Sequence, residues 1–247
     1  MADDTQTAVA DRIHAVIFDL DGVLVDSEPY WRDGFRSALS LLADAAGADD
    51  PAPDDEALHE FEGGRVPDTI RTLTEHYLPS AEIDDARTAA AVDRAIATAI
   101  ALLRETPRAI ANNVDVAQEL ARAGTRLAVA SSSPVAFIEA ALDTLGLADT
   151  VEVVESAFEL EHAKPHPEVY ENTLRRLGVA PEHAVAIEDS RTGAAAAVAA
   201  GIPTLWVNEH LAHGAAEAAK LRVQGARITF LRRLSVIEIN SIAEESS

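Results

Sequence analysis

Short apolar, often β-branched runs recur along the chain at His14–Phe18, Arg126–Ala130, Val151–Val154, Ala184–Ile187 and Thr204–Val207. Each is too short for a stable helix and is apolar on both faces, the pattern of a strand buried in a parallel sheet. Stretches of helical pattern separate the later runs. Gly124, Gly146, Gly178 and Gly201 stand where those helices would stop, because glycine takes the left-handed backbone of a helix end without strain. Ser133-Pro134 and Lys164-Pro165 place proline where a helix would begin. Alternating strands and helices of this length predict an α/β fold with a doubly wound parallel sheet.

The alternation breaks between the first strand and the second. From about Glu28 to Arg104 no strand pattern appears, and helical stretches run through Trp31–Ala46, Asp54–Phe61, Pro67–His76 and Asp84–Leu103. That is too much chain for one crossover, so an all-helical insertion is expected. Boundaries near Ser27 and Thr106–Pro107 follow. They assign 1–27 and 106–247 to the α/β core and 28–105 to a helical cap. No internal repeat is visible.

Composition narrows the setting. Hydrophobic residues make up 48% of the 247 positions, enough to bury a core. The absence of cysteine excludes disulfides, thiol chemistry and cysteine-ligated metal. The opening MADDTQTAVADR is acidic and leads into no apolar run, so no signal peptide is expected. No stretch reaches the roughly 18 apolar residues of a membrane span. The expected setting is cytoplasmic.

The formal net charge is −22, and only Lys164 and Lys220 among the 20 basic residues are lysines. Such a surface repels nucleic acid and anionic membranes, which argues against both as partners. An Asp/Glu/Ala/Arg-rich, lysine-poor chain suits a salt-adapted proteome. Charge speaks here of environment, not of chemistry.

In open α/β sheets ligands bind beyond the carboxyl ends of the strands. The first strand ends in Asp19-Leu20-Asp21-Gly22, the second in Ser131-Ser132-Ser133, and the fourth in Glu188-Asp189-Ser190. A loop after the third leads to Lys164-Pro165-His166-Pro167. Each piece alone is a common surface pattern, but their joint placement at strand ends points to phosphoryl transfer. Asp19 can attack phosphorus to form an aspartyl-phosphate. Asp21 can protonate the leaving alkoxide and later activate water. Mg²⁺ takes oxygen ligands, and Asp19, Asp21 through its carbonyl, Glu188 and Asp189 can supply them. Ser131, with Ser132 and Ser133 beside it, would hold phosphoryl oxygens, while Lys164 offsets transition-state charge.

These segments resemble the four signature motifs of the haloacid dehalogenase superfamily: IFDLDGVLVDSEP at Ile17–Pro29, LAVASSSP at Leu127–Pro134, AKPHPEVY at Ala163–Tyr170 and AIEDSRTGAAAA at Ala186–Ala197. The resemblance spans the chain from about Ile13 onward and implies a helical cap after the first strand. It also implies Asp19 as nucleophile, Asp21 as acid/base, Ser131 and Lys164 at the phosphate, and Mg²⁺ held by Asp19, Asp21 and Asp189. Within the family the chain is most similar to small sugar-phosphate phosphatases. The cues are Asp26 to Trp31, the cap loop Glu62-Gly63-Gly64-Arg65 and the serine triplet before Pro134. Related capped phosphatases are often monomers, so a monomer acting on a small phosphorylated metabolite is expected.

Glu28, Gly63 and Arg65 are the candidate specificity residues, Arg65 through its planar fork of donors. Tyr30 and Trp31 read as packing at the cap hinge, and His162 and His166 as exposed or capping groups beside Lys164. Where this family often has a Pro-Gly turn, Asn112-Asn113 stands, and a surviving turn is expected. A β-phosphoglucomutase-type mutase is the nearest rival, but such enzymes carry a histidine at the Trp31 position and a lysine at the Glu62 position. A receiver-like phospho-aspartate switch needs neither a cap nor the built-in base Asp21. A dehalogenase needs neither Asp21 nor the metal ligands.

Overall fold

The computed structural model describes residues 13–59, 61, 64–208, 218, 220 and 227–244. Six parallel strands, β1 (Ala15–Phe18), β2 (Arg126–Ser131), β3 (Val151–Ser156), β4 (Ala184–Glu188), β5 (Thr204–Val207) and β6 (Ile228–Leu231), form one sheet in the order β3-β2-β1-β4-β5-β6. The order runs outward from β1 on both sides, which makes the carboxyl end of β1 the switch point where such sheets bind ligands. Side chains alternate along β1. Val16 and Phe18 enter one buried cluster, and Ala15 and Ile17 enter the cluster on the opposite face.

Helices α1 (Glu28–Ala46), α2 (Asp55–His59), α3 (Val66–Tyr77) and α4 (Asp85–Glu105) follow β1 directly. They bury their own apolar cluster, with Phe35, Leu39, Leu58, Ile70 and Leu73 at its centre. Gly34 lets α1 approach α4 closely, since a Cβ there would lie 2.8 Å from the Ala95 carbonyl oxygen. Two chain crossings join this layer to the sheet. At one, Asp26 donates its backbone N–H to the Arg108 carbonyl (2.9 Å) and receives Arg108 Nε at its carboxylate (2.7 Å). At the other, Tyr30 is buried and donates its hydroxyl to the Thr106 carbonyl at 2.5 Å.

The sheet is covered by α5 (Ala111–Arg122), α6 (Val135–Thr144), α7 (Glu168–Leu177), α8 (Arg191–Ala199) and α9 (Val236–Glu244). Gly124, Gly146, Gly178 and Gly201 all take positive φ at helix ends. Three expectations need correction. Strand β6 was not foreseen, because it is an edge strand with one buried residue and no alternating pattern. Lys164-Pro165 does not open a helix; α7 starts at Glu168 after Pro167, and the intervening loop delivers Lys164 to the strand ends. Asn112 and Asn113 form no turn but sit in the first turn of α5. There their amides tie the helix down, Asn113 donating to the Val23 carbonyl (2.8 Å) and Asn112 to that of Leu234 (2.9 Å).

Candidate active site

The loop leaving β1 closes on itself. The Leu20 carbonyl accepts from the N–H groups of Val23, Leu24 and Val25 at 3.2, 2.8 and 3.1 Å. Gly22 takes φ +72°, and a Cβ at this position would lie 2.0 Å from Asp189 Oδ2. Glycine is required twice over, by the left-handed backbone and by the carboxylate packed against it.

Lys164 is the hub. Its ammonium lies 3.1 Å from Asp19 Oδ1, donates to Glu188 Oε1 at 2.7 Å and donates to the Ala130 carbonyl at 3.0 Å. The Tyr170 hydroxyl reaches the same Glu188 oxygen at 2.5 Å. Glu188 is fully buried, and Gly193 at the start of α8 leaves it room, since a Cβ there would meet Oε2 at 2.0 Å. The Asp189 carbonyl is held by Trp206 Nε1 (2.7 Å) and Asn208 Nδ2 (3.2 Å).

Three carboxylates, Asp19, Glu188 and Asp189, thus place ligand oxygens within 4.8 Å of one another. Burial, followed by repulsion from Glu188, pushes the Asp19 carboxyl up to about 8, against a partial counterpull from Lys164. Burial and then the Asp19 and Glu188 charges raise Asp189 well above the carboxylate range. Burial would lower the Lys164 ammonium, but Asp19 and Glu188 outweigh it and hold it above the ordinary lysine value. One ammonium faces three acids.

That imbalance suits a hard divalent cation. The donors are all oxygen, and Asp19 Oδ1 is buried with no hydrogen-bond donor aligned on it, the nearby ammonium notwithstanding. Asp19 and Asp189 fit Mg²⁺ on these grounds. Glu188, the third acid of the group, spends Oε1 on Lys164 and Tyr170.

Asp21 stands outside this group. Its Oδ1 accepts from Ser27 Oγ and from Trp31 Nε1 (3.1 Å), and its Oδ2 accepts from Ser131 Oγ (3.0 Å) and Ser133 Oγ (2.7 Å). The Ser131 hydroxyl, expected at a phosphoryl oxygen, is fully buried and is spent on Asp21. Ser132 and Ser133 do reach the cavity.

A cavity of about 170 Å³ lies between the strand ends and the helical insertion. Asp19, Asp21, Lys164 and Asp189 floor it; Trp31, Phe35, Leu58, Phe61 and Val66 wall it from the helical side, together with Glu28 and Arg32. Arg65, expected to meet the substrate, does not line it. Its guanidinium pairs with Asp68 (2.8 Å) and bonds the Leu160 carbonyl (3.0 Å), fastening the start of α3 to a core loop. Gly63 lies outside the described residues.

Ser27, Trp31, Arg32 and Tyr170 were not foreseen as site residues. Trp31 does pack, against Phe137 with centroids 4.6 Å apart, yet its indole nitrogen also reaches Asp21. Ser27, Trp31 and Tyr170 do fall within or beside the motifs quoted above, but nothing in those motifs gives them a role at the site. Only their distance to Asp21, the cavity or Glu188 does so.

The haloacid dehalogenase-like hydrolase family matches residues 13–201. The chain is 33% identical over 201 residues to hexitol phosphatase B of Escherichia coli, covering 79% of this chain and 84% of that protein. It is 32% identical over 201 residues to the phosphorylated carbohydrates phosphatase of Thermotoga maritima, covering 78% and 84%. The solved structure of CbbY from Rhodobacter sphaeroides with phosphate superposes with TM-score 0.72 at 26% identity, over 90% of this chain and 94% of that one. By the match over residues 13–201 and by these relatives, the chain belongs to the haloacid dehalogenase-like hydrolases.

Proposed function

We propose that the protein is a Mg²⁺-dependent phosphatase of small sugar or polyol phosphates, working through an aspartyl-phosphate on Asp19. The observation that carries this reading is the buried Asp19 carboxylate, 3.1 Å from Lys164 and grouped with Glu188 and Asp189, on the floor of a small cavity. An Asp19 oxygen attacks phosphorus and the bond to the substrate's alcohol oxygen breaks. Asp21, beside Asp19 on the cavity floor, gives its proton to that oxygen. Water then attacks the acyl-phosphate, Asp21 takes the water's proton, and Asp19 and inorganic phosphate are released. Lys164 stays protonated and offsets charge throughout. Mg²⁺, when bound, neutralises phosphoryl oxygens in the transition state.

In this reading residues 28–105 act as a cap over the core formed by 1–27 and 106–247. The cavity's size and apolar walls favour a small leaving group, with Glu28 and Arg32 as its polar contacts. The activities named for the hexitol and phosphorylated-carbohydrate phosphatases support a carbohydrate phosphate.

The test is phosphate release from a panel of sugar and polyol phosphates. Asp19→Asn is expected to lose at least about a thousandfold in kcat with an unchanged circular dichroism spectrum, and chelation should silence the wild type. Substantial turnover by Asp19→Asn sinks the assigned nucleophile. Interconversion of sugar monophosphates without phosphate release would instead make the enzyme a mutase.

A further inference from the structure

We propose that His162, His166 and Glu168 form a surface site for a transition-metal ion of the Zn²⁺ type, separate from the carboxylate centre. The three side chains place ligand atoms within 4.8 Å of one another. The imidazole rings stack with centroids 4.2 Å apart and planes 22° from parallel.

The local chain holds these groups in place. His166 sits between Pro165 and Pro167, and its Nδ1 accepts the Glu168 backbone N–H at 3.3 Å, which leaves Nε2 as its ligand atom. Glu168 Oε2 accepts the His162 backbone N–H at 3.1 Å and faces His162 Nδ1 at 3.1 Å. An ion would take the place of the proton between those last two atoms, with His162 keeping its own proton on Nε2. Ligand atoms about 2 Å from a tetrahedral ion lie roughly 3.4 Å apart. The His162 side chain is 49% exposed, so a small rotation that trades its pairing with Glu168 for the ion closes the remaining gap.

Donor chemistry separates the two centres. Two imidazoles and one carboxylate suit Zn²⁺ and its neighbours, whereas the oxygen-only group at Asp19 and Asp189 suits Mg²⁺. Three protein ligands leave a fourth position for water. The chain's charge of −22 draws cations toward any such site. A bound ion would bracket Lys164, joining the chain on both sides of it.

The test is calorimetric titration of Zn²⁺ into the full chain in saturating Mg²⁺. Wild type and Asp189→Asn should each bind one ion. The His162→Gln/His166→Gln double variant should weaken binding more than about a hundredfold, and Glu168→Gln about tenfold. Absence of Zn²⁺ binding by the wild type overturns the proposal. So does equal binding by the double variant, or loss of binding in Asp189→Asn, which would move the ion to the carboxylate centre. If the double variant loses its circular dichroism spectrum, His166→Gln alone decides by the same criterion.

Discussion

Trp31 packs tilted against Phe137 while donating its indole N–H to Asp21, so packing and chemistry share one side chain. Asp21 collects four donors, and three of them are serine hydroxyls that can turn to other acceptors. The indole cannot turn, because its ring is wedged against Phe137. Trp31→Phe keeps an aromatic ring there and removes a hydrogen bond to a carboxylate, a bond of about 1.5 kcal/mol or more. A fall in kcat of about tenfold with a drop in Tm of only a few degrees is expected; unchanged kcat would reduce Trp31 to packing. Asp19 carries the pH dependence. Its carboxyl is raised from 3.8 to about 8 by burial first and Glu188 second, so the folded state binds this proton more tightly than the unfolded one. The stabilising contribution is complete below about pH 4 and is lost as pH rises through about 8. Asp189 acts in the same sense, whereas Lys164 titrates far above this window. Metal-free protein should therefore melt at falling temperature from pH 5 to pH 8, and Asp19→Asn should flatten part of that slope. Calorimetry in EDTA reads it directly, and a metal-free Tm that rises over this range would contradict the buried-carboxylate account.

At the scale of elements, the contact between α1 and α4 organises the roof of the cavity. Ala91, Ala95 and Ala99 form the buried stripe of α4, and Gly34 of α1 rests on it. Alanine is ordinarily the better helix residue by about 1 kcal/mol. Here its Cβ would press on a backbone carbonyl at 2.8 Å, which cannot swing aside as a side chain could. Gly34→Ala is therefore expected to destabilise, by about 1–2 kcal/mol net of the propensity gain, with a lower Tm on thermal denaturation. A stabilised variant would mean the two helices can part freely. The same roof carries Trp31 and Phe35, so the variant should also raise KM.

For the whole molecule, the net charge of −22 means that folding concentrates like charge, and screening should relieve it. The Debye length falls from about 10 Å at 0.1 M salt to about 3 Å at 1 M. Tm should climb by several degrees between dilute buffer and molar KCl at constant pH; a flat or falling profile would show that the acidic surface is already balanced locally. No helix among the described residues is long and apolar enough to cross a membrane. Much of this architecture was readable along the chain. Five strands, the helical insertion and the strand-end positions of Asp19, Ser131 and Asp189 all follow from short-range periodicity and from where motifs fall relative to it. Edge strand β6 escaped because one buried residue makes no pattern, and the helical Asn112-Asn113 pair escaped because its partners Val23 and Leu234 are remote in sequence. Tertiary structure alone decided what each polar group faces. It turned Ser131 onto Asp21, Arg65 away from the cavity, Tyr170 onto Glu188 and Trp31, expected only to pack at the cap hinge, onto Asp21. Periodicity records which side of an element is buried, but a hydrogen bond depends on ångström-scale placement of atoms from distant segments, and only the folded chain sets that.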